Sequence, residues 1–309
     1  WPSLSFDIAI INDWLSKLFG AGFYYKTFMY PAKFWKLYEY FLRRMAGLGK
    51  APKEPDPDHY SHQNIHCDVL VVGAGPAGIM AALAAGKSGA KVIIADEQAS
   101  FGGSLLASKE NIDGRTADDW LTSQVETLKE LPNVTCLSRS TVFGYYDYNF
   151  LTINEKCTNH LAESTPNSIR QKLWRVRAKH VVLAQGAFER PLIFPNNDRP
   201  GIMLASAVSN YINRYAVIPG KRAIIFTNND TAYQTAIDLK LAGAISVEII
   251  DSRSEQASDM LTEVKNHDIL CQFNMVIRNV IGSKRVTAVE IASYIAEKNT
   301  CELNFEKKK

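Results

Sequence analysis

At 309 residues, with 46% hydrophobic and 22% charged side chains, the chain is long enough to bury one large or two moderate cores. Its net charge of +3, unclustered apart from the terminal Lys-Lys-Lys, implies no nucleic-acid surface. No apolar run reaches about 18 residues and no charged-then-apolar leader opens the chain, so the expected protein is cytoplasmic and not bound to a membrane.

The first 47 residues hold 14 of the 32 aromatic side chains, with Phe34, Tyr38 and Phe41 at helical spacing. Such density calls for burial. A helical arm packed on its own domain, an interface with a partner chain and a membrane-surface helix are the three readings. Gly49–Asn64 carries Pro52, Pro55 and Pro57 among charges and reads as an extended connector, which closes an N-terminal segment at residues 1–64.

Cys67–Asp96 then runs as a buried strand, a glycine turn, a helix, a second strand and a terminal acid, the layout of a dinucleotide site. Gly73 permits the tight turn, Gly75 lets backbone approach a pyrophosphate, and Gly78 lets the helix pack against the sheet. Ala74, Pro76 and Ala77 complete the GAGPAG turn, with Pro76 in the first helical turn, where a missing N–H is no loss. The open amides and positive end of the Pro76–Ser88 helix face the phosphates. Asp96 stands about 20 residues on, where a carboxylate accepts from ribose hydroxyls and repels a 2′-phosphate, which disfavours NADP.

Gly103 and Ser104 follow, placed to pass back over a ligand or to form an ordinary loop. Ala117–Leu131 is read as an amphipathic helix, Val134–Val142 as the next strand, and Tyr145–Ile153 and Leu173–Arg177 as strands of a β-meander. His180–Gln185 is an apolar strand ending at Gly186, at the carboxyl edge of the sheet. These elements define a first dinucleotide-binding domain at 65–200.

A second domain, 201–309, repeats the order: strand Arg222–Phe226, helix Thr231–Ala242, strand Val247–Ile250 and an acid, Asp251. Its turn is degenerate. Thr227, Asn229 and Ala232 replace the three glycines, and Asp230 places a carboxylate where phosphates would sit, so the expectation is a folded but empty repeat. The five cysteines have no C-x-x-C, and His59, His62 and His66 lie in what reads as a polar loop; no metal site is expected. The chain opens on Trp-Pro-Ser and ends without a closing element, which reads as an internal, C-terminally truncated piece of a longer polypeptide.

Several segments together, FYYKTFMYPAKFW, HCDVLVVGAGPAG, ADEQASFGGSLL, TVFGYYD, FERPLIFPNNDRPGIMLASAVSNYINRY and FTNNDTAY, resemble the alpha subunits of heterotetrameric sarcosine oxidases over essentially the whole chain. The resemblance implies an α/β fold of two dinucleotide-binding (Rossmann-like, FAD/NAD(P)-binding) domains with a β-meander, preceded by the aromatic arm. It also implies an oxidoreductase that demethylates sarcosine with oxygen and passes the one-carbon unit to tetrahydrofolate on a C-terminal domain absent from this stretch. Amine oxidation would occur at FAD in the beta subunit. Electrons would then pass to FMN at the alpha–beta boundary, with gamma and delta subunits completing the complex.

Carried over by position, NAD is held by Gly73, Ala74, Gly75, Pro76, Ala77 and Gly78, by Asp96 with Glu97 and Gln98, and by Gly103 and Ser104. Val142, Ala184, Gln185 and Gly186 are backbone contacts on the same resemblance. Gln185 departs from the usual Ala-Thr-Gly. In two-dinucleotide flavoproteins at large the first domain binds FAD, so NAD at Gly73–Asp96 rests on the resemblance alone. No nucleophile–base pair, carboxylate pair or dithiol has supporting context, and no catalytic residue is named. Glu189, Arg190 and Asn196–Arg199 are read as cofactor contacts or as a crossover held by an Arg–carboxylate pair. The competing functions are a stand-alone NAD/FAD reductase and an alpha-type subunit of a related amine, proline or opine dehydrogenase.

Overall fold

The computed structural model describes residues 6–8, 10–15, 30–45, 47, 49, 51–162, 165, 167–295 and 300–308, so the middle of the aromatic stretch, 16–29, lies outside the described residues. Contacts divide the chain into two units, Trp1–Pro57 and Asp58–Lys309. In the smaller unit, helices α1 (Ile10–Leu15) and α2 (Trp35–Met45) form. Phe34 meets Tyr38 edge-on at 6.3 Å, and Glu39 pairs with Arg43 one turn on. Phe34, Leu37, Tyr40 and Phe41 are exposed, and a helix of three turns cannot enclose its own apolar face.

The larger unit is built on strand β1 (His59–Val72), helix α3 (Pro76–Lys87) and strand β2 (Val92–Ala95), followed by helix α4 (Ala117–Glu130) and strand β3 (Val134–Leu137). Strands β4 (Ser140–Tyr146), β5 (Phe150–Lys156) and β6 (Ile169–Leu183) form the meander. All six strands share one sheet in the order β3-β2-β1-β6-β5-β4, parallel through β3, β2, β1 and β6 and antiparallel through the meander. Helices α3 and α4 cover one face, where Val71, Ile79, Leu83, Ile94 and Trp120 pack together. Leu70, Ile93, Leu151 and Ile153 fill the other face, each contributing about 2 kcal/mol by leaving water.

Four local expectations are corrected. Val134–Val142 is two strands, because Arg139 takes a left-handed backbone (φ 52°) that turns the chain from β3 into β4. Tyr145–Ile153 is a hairpin, bent at Tyr148 and Asn149, both left-handed. The connector ends early: His59–Asn64 belongs to β1, so His59, His62 and His66 lie on a strand paired with Ile169, Leu173 and Arg177 of β6. Leu173–Arg177 and His180–Leu183 are likewise one continuous strand.

The second fold follows a long crossover. Helix α5 (Ala205–Tyr215) leads to strand β7 (Arg222–Thr227), helix α6 (Thr231–Leu241), strand β8 (Ser246–Asp251), helix α7 (Asp259–Asn266) and strand β9 (Leu270–Gln272). These strands form a parallel sheet, β9-β8-β7, and β10 (Met275–Ile281), β11 (Ala288–Ile295) and β12 (Thr300–Lys308) form a separate antiparallel sheet. Among the described residues, no helix is long and apolar enough to cross a membrane.

Candidate dinucleotide site

The glycine turn leaves β1 at Gly73, whose amide donates to Ala95 O at 2.8 Å, and enters α3 through Gly75 as the N-cap with Pro76 at the first position. No side chain caps this helix, so its first turn presents amides to whatever lies before it. The glycines differ in what they make room for. Gly73 has φ +95°, and a Cβ there would strike the backbone of Ala184. At Gly78 a Cβ would strike the Gly73 carbonyl.

Gly75 is different: φ is −71°, ordinary for any residue, and a Cβ would meet only Gly103 Cα at 3.9 Å. The protein's own packing does not require glycine there. The open space in front of α3 fits a group brought from outside, and an anion is the chemistry that a helix N-terminus favours.

Asp96 sits beyond β2 with one carboxylate oxygen accepting from Ala74 N at 2.7 Å and the other from Gln98 N at 2.8 Å. Each oxygen keeps a further lone pair for a ribose hydroxyl. The returning chain lies directly on the turn, with Gly102 N donating to Ala74 O at 2.7 Å and Gly103 facing Gly75. Ala184 N donates to Val72 O at 2.8 Å, which brings Ala184 and Gln185 against Gly73. The structure therefore gathers Gly73, Ala74, Gly75, Pro76, Gly78, Asp96, Gly103, Ala184 and Gln185 around one point. Ala77, Glu97, Ser104 and Gly186 are exposed beside it. Val142 is not gathered in: it stands on β4 opposite Ile153, packed in the lower core with Ile93 and Ala95.

In the second fold the equivalent groups are consumed internally. Asn229 N donates to Thr227 Oγ1 at 3.1 Å, and Asn229 Oδ1 accepts from Thr231 N at 3.0 Å, across the mouth of α6. Asp251, fully buried, accepts from Tyr233 Oη at 2.8 Å and from Arg253, which reaches on to Asp230 at 2.6 Å. The Arg253 hydrogen bond holds the Asp230 carboxyl below its ordinary pKa, and burial pushes the Tyr233 hydroxyl well above its own. Tyr233→Phe is expected to cost about 2 kcal/mol, the worth of a hydrogen bond to a buried charge, read as a shifted denaturant midpoint.

The crossover residues also take definite places. Glu189 accepts from Ala205 N at 3.2 Å and Ser206 N at 2.8 Å, supplying the cap that Leu204 lacks at α5. It caps a helix instead of pairing with an arginine. Asn196 Nδ2 donates to Asn279 Oδ1 at 2.8 Å, and Arg199 reaches the Ser283 carbonyl. A broad cleft of about 2320 Å³ runs along this crossover, lined by Ala107, Glu189, Asn213, Phe226, Asp238 and Arg285.

Burial pushes the Cys67 and Cys271 thiols up to about 11. At pH 8 roughly one in a thousand of each is thiolate, against about one in four for an ordinary thiol, so alkylation in the folded chain is expected to run at least 100-fold slower than in the unfolded one. A mass-resolved iodoacetamide time course measures it.

This arrangement, an uncapped glycine turn with its acid, a meander and a second related fold, defines the FAD/NAD(P)-binding flavoprotein class. The chain belongs to the pyridine nucleotide-disulphide oxidoreductase family, whose family model matches residues 67–301. Over 94% of its length it is 47% identical to the alpha subunit of a sarcosine oxidase from Rhizobium meliloti (strain 1021). The chain covers only 29% of that relative. A subunit of an opine oxidase from Agrobacterium tumefaciens (strain Ach5) is 30% identical over 60% of this chain and 37% of the relative. Among solved structures, the T. acidophilum thioredoxin reductase superposes with a TM-score of 0.57 at 18% identity, covering 79% of this chain and 74% of that one, a likeness of fold. The resemblance read in the sequence segments is thus borne out by a relative bearing the sarcosine oxidase alpha name.

Proposed function

We propose that the chain is the NAD-binding region of the alpha subunit of a heterotetrameric sarcosine oxidase. The observation that carries the reading is the open cradle at Gly75, where neither backbone conformation nor packing demands glycine. The first-turn amides of α3 face the diphosphate, Asp96 takes the adenosine ribose hydroxyls, and Gly103 and Ser104 close over the pair. Bound nicotinamide dinucleotide supplies a hydride-accepting ring. The chain's own part is to hold and orient it: Asp96 ties the turn through Ala74 while keeping lone pairs free, so the acid and the turn cannot drift apart.

The 47% identity to a sarcosine oxidase chain, against 30% to an opine oxidase chain, favours sarcosine over an opine as the substrate of the assembled enzyme. In that assembly amine oxidation belongs to FAD on the beta subunit, FMN sits at the boundary, gamma and delta subunits complete the complex, and tetrahydrofolate takes the one-carbon unit on a further alpha-subunit domain. The second fold stays empty of coenzyme, its amides and carboxylates being engaged by Asn229, Tyr233 and Arg253.

The test is to purify the full-length protein with its partner subunits, separate the alpha subunit, and identify the nucleotide it releases on denaturation. One equivalent of NAD is expected. Release of FAD, with the visible band of an oxidised flavin in the separated subunit, overturns the NAD assignment, and turnover of an opine but not sarcosine overturns the substrate.

A further inference from the structure

Helix α6 carries an aspartate in the middle of its buried face. Asp238 is 1% exposed, flanked by Ala236, Ile237 and Leu239, all core residues. A carboxylate there is costly unless its oxygens are engaged, and they are. Oδ2 accepts from Asn213 Nδ2 at 2.8 Å and from Ser209 Oγ at 3.3 Å, both on α5, and Oδ1 accepts from Gln234 Nε2 at 3.1 Å with Lys109 Nζ at 3.7 Å. The Asn213 amide donates a second time, to the Ala107 carbonyl at 3.0 Å. Ala107 ends the short helical turn Gly103–Ala107, whose other end lies on Gly75. One residue along α5, Arg214 reaches Gln98 Oε1 at 3.2 Å, beside the amide that binds Asp96.

We propose that Asp238 and Asn213 are positioning residues for the dinucleotide site. They form a clamp by which the second fold holds the Gly102–Ala107 turn down over Gly75. The inference rests on the dinucleotide reading above. An uncovered glycine turn offers a phosphate only one wall; a turn held on its far side by a buried charge supplies the second wall already in place, so little ordering is left for the ligand to impose. The carboxylate is suited to this role because a hydrogen bond to a buried ion is stronger than a neutral one, and because Asp238 sits on a packed helix that cannot follow the loop.

The experiment uses the full-length protein with two readouts: hydrogen exchange at the Leu105 and Ser108 amides, both bonded within the turn, in the absence of nucleotide, and the dissociation constant for added NAD. Asn213→Ala and Asp238→Ala are expected to speed exchange at both amides and weaken NAD by about tenfold, the size of one supporting hydrogen bond. Asp238→Asn, which keeps an acceptor for Asn213, restores affinity to within about threefold. Tyr233→Phe, which loosens the second fold elsewhere, leaves both readouts unchanged. Should Asp238→Ala fail to fold, Asn213→Ala carries the test alone. Wild-type exchange in that variant, or equal exchange in Tyr233→Phe, overturns the clamp. A wild-type protein that takes up no NAD overturns the dinucleotide reading instead, and the exchange readout still decides whether the turn is held.

Discussion

Replacing Gly75 with valine is expected to leave the fold intact and to weaken dinucleotide binding by at least about 100-fold, or roughly 2.7 kcal/mol. The two halves of that result come from the same geometry. Backbone at φ −71° and ψ −178° suits valine as well as glycine, and a Cβ placed there comes no closer than 3.9 Å to its nearest neighbour, so neither backbone conformation nor the first side-chain carbon is resisted. What does resist it is the diphosphate, which must approach within hydrogen-bond reach of the α3 amides through the space that the branched side chain fills. Thermal unfolding and NAD titration on the same preparation separate the two effects. Asn229→Gly in the second fold is the partner control: it reopens one glycine position, but Asp251 and Arg253 remain locked together, so NAD affinity is expected to stay at the wild-type value. Nucleotide retained in Gly75→Val would sink the site.

Gly73→Ala is expected to destabilise the protein by about 4 kcal/mol, enough to leave much of a marginal domain unfolded. Backbone strain alone does not reach that figure. Gly89, just beyond α3, has a similar φ of +88° but nothing within 4 Å of a built Cβ, so Gly89→Ala isolates the strain, about 1–2 kcal/mol. At Gly73, with φ +95°, the methyl group additionally meets the Ala184 carbonyl, main chain of a residue whose own amide donates to Val72 O and so holds it in place. Relief requires parting β1 from the residues after β6, and those are the strands that close the sheet. The difference between the two alanine variants, read from denaturant midpoints at equal slope, measures the clash directly.

The glycine turn was legible in the sequence because each of its residues answers to something nearby: a strand end, a helix start, an acid one strand later. In the degenerate copy the strand–helix–strand order was legible in the same way, and there Asn229 Oδ1 accepts from Thr231 N at the mouth of α6. Errors fell where a remote partner decided the outcome. His59–Asn64 reads as a polar loop and becomes strand only because Ile169–Arg175 lies alongside it, more than a hundred residues on. Arg139, Tyr148 and Asn149 break strands by adopting left-handed backbone, which residues other than glycine rarely signal.

The one trace of the clamp in the sequence is a carboxylate set among core positions of α6. Its meaning depends on Asn213 and Lys109, which only the folded chain brings to it. Val142 is a different case. Its role as a backbone contact came wholly from the resemblance, and the structure places it on β4 opposite Ile153.

The long pairing of β1 with β6 has a consequence for biosynthesis. Once synthesised, strand β1 can recruit β2 and β3 on one side, and then waits for Leu183, roughly 110 residues or about 5–20 s of elongation, before its other edge is covered. For that interval an apolar margin, Val69–Val72, stands open to any strand that passes, including the same segment of a neighbouring nascent chain. Crowded polysomes are where this protein is most exposed to misassembly, and slowing translation between residues 100 and 183 would lengthen the hazard.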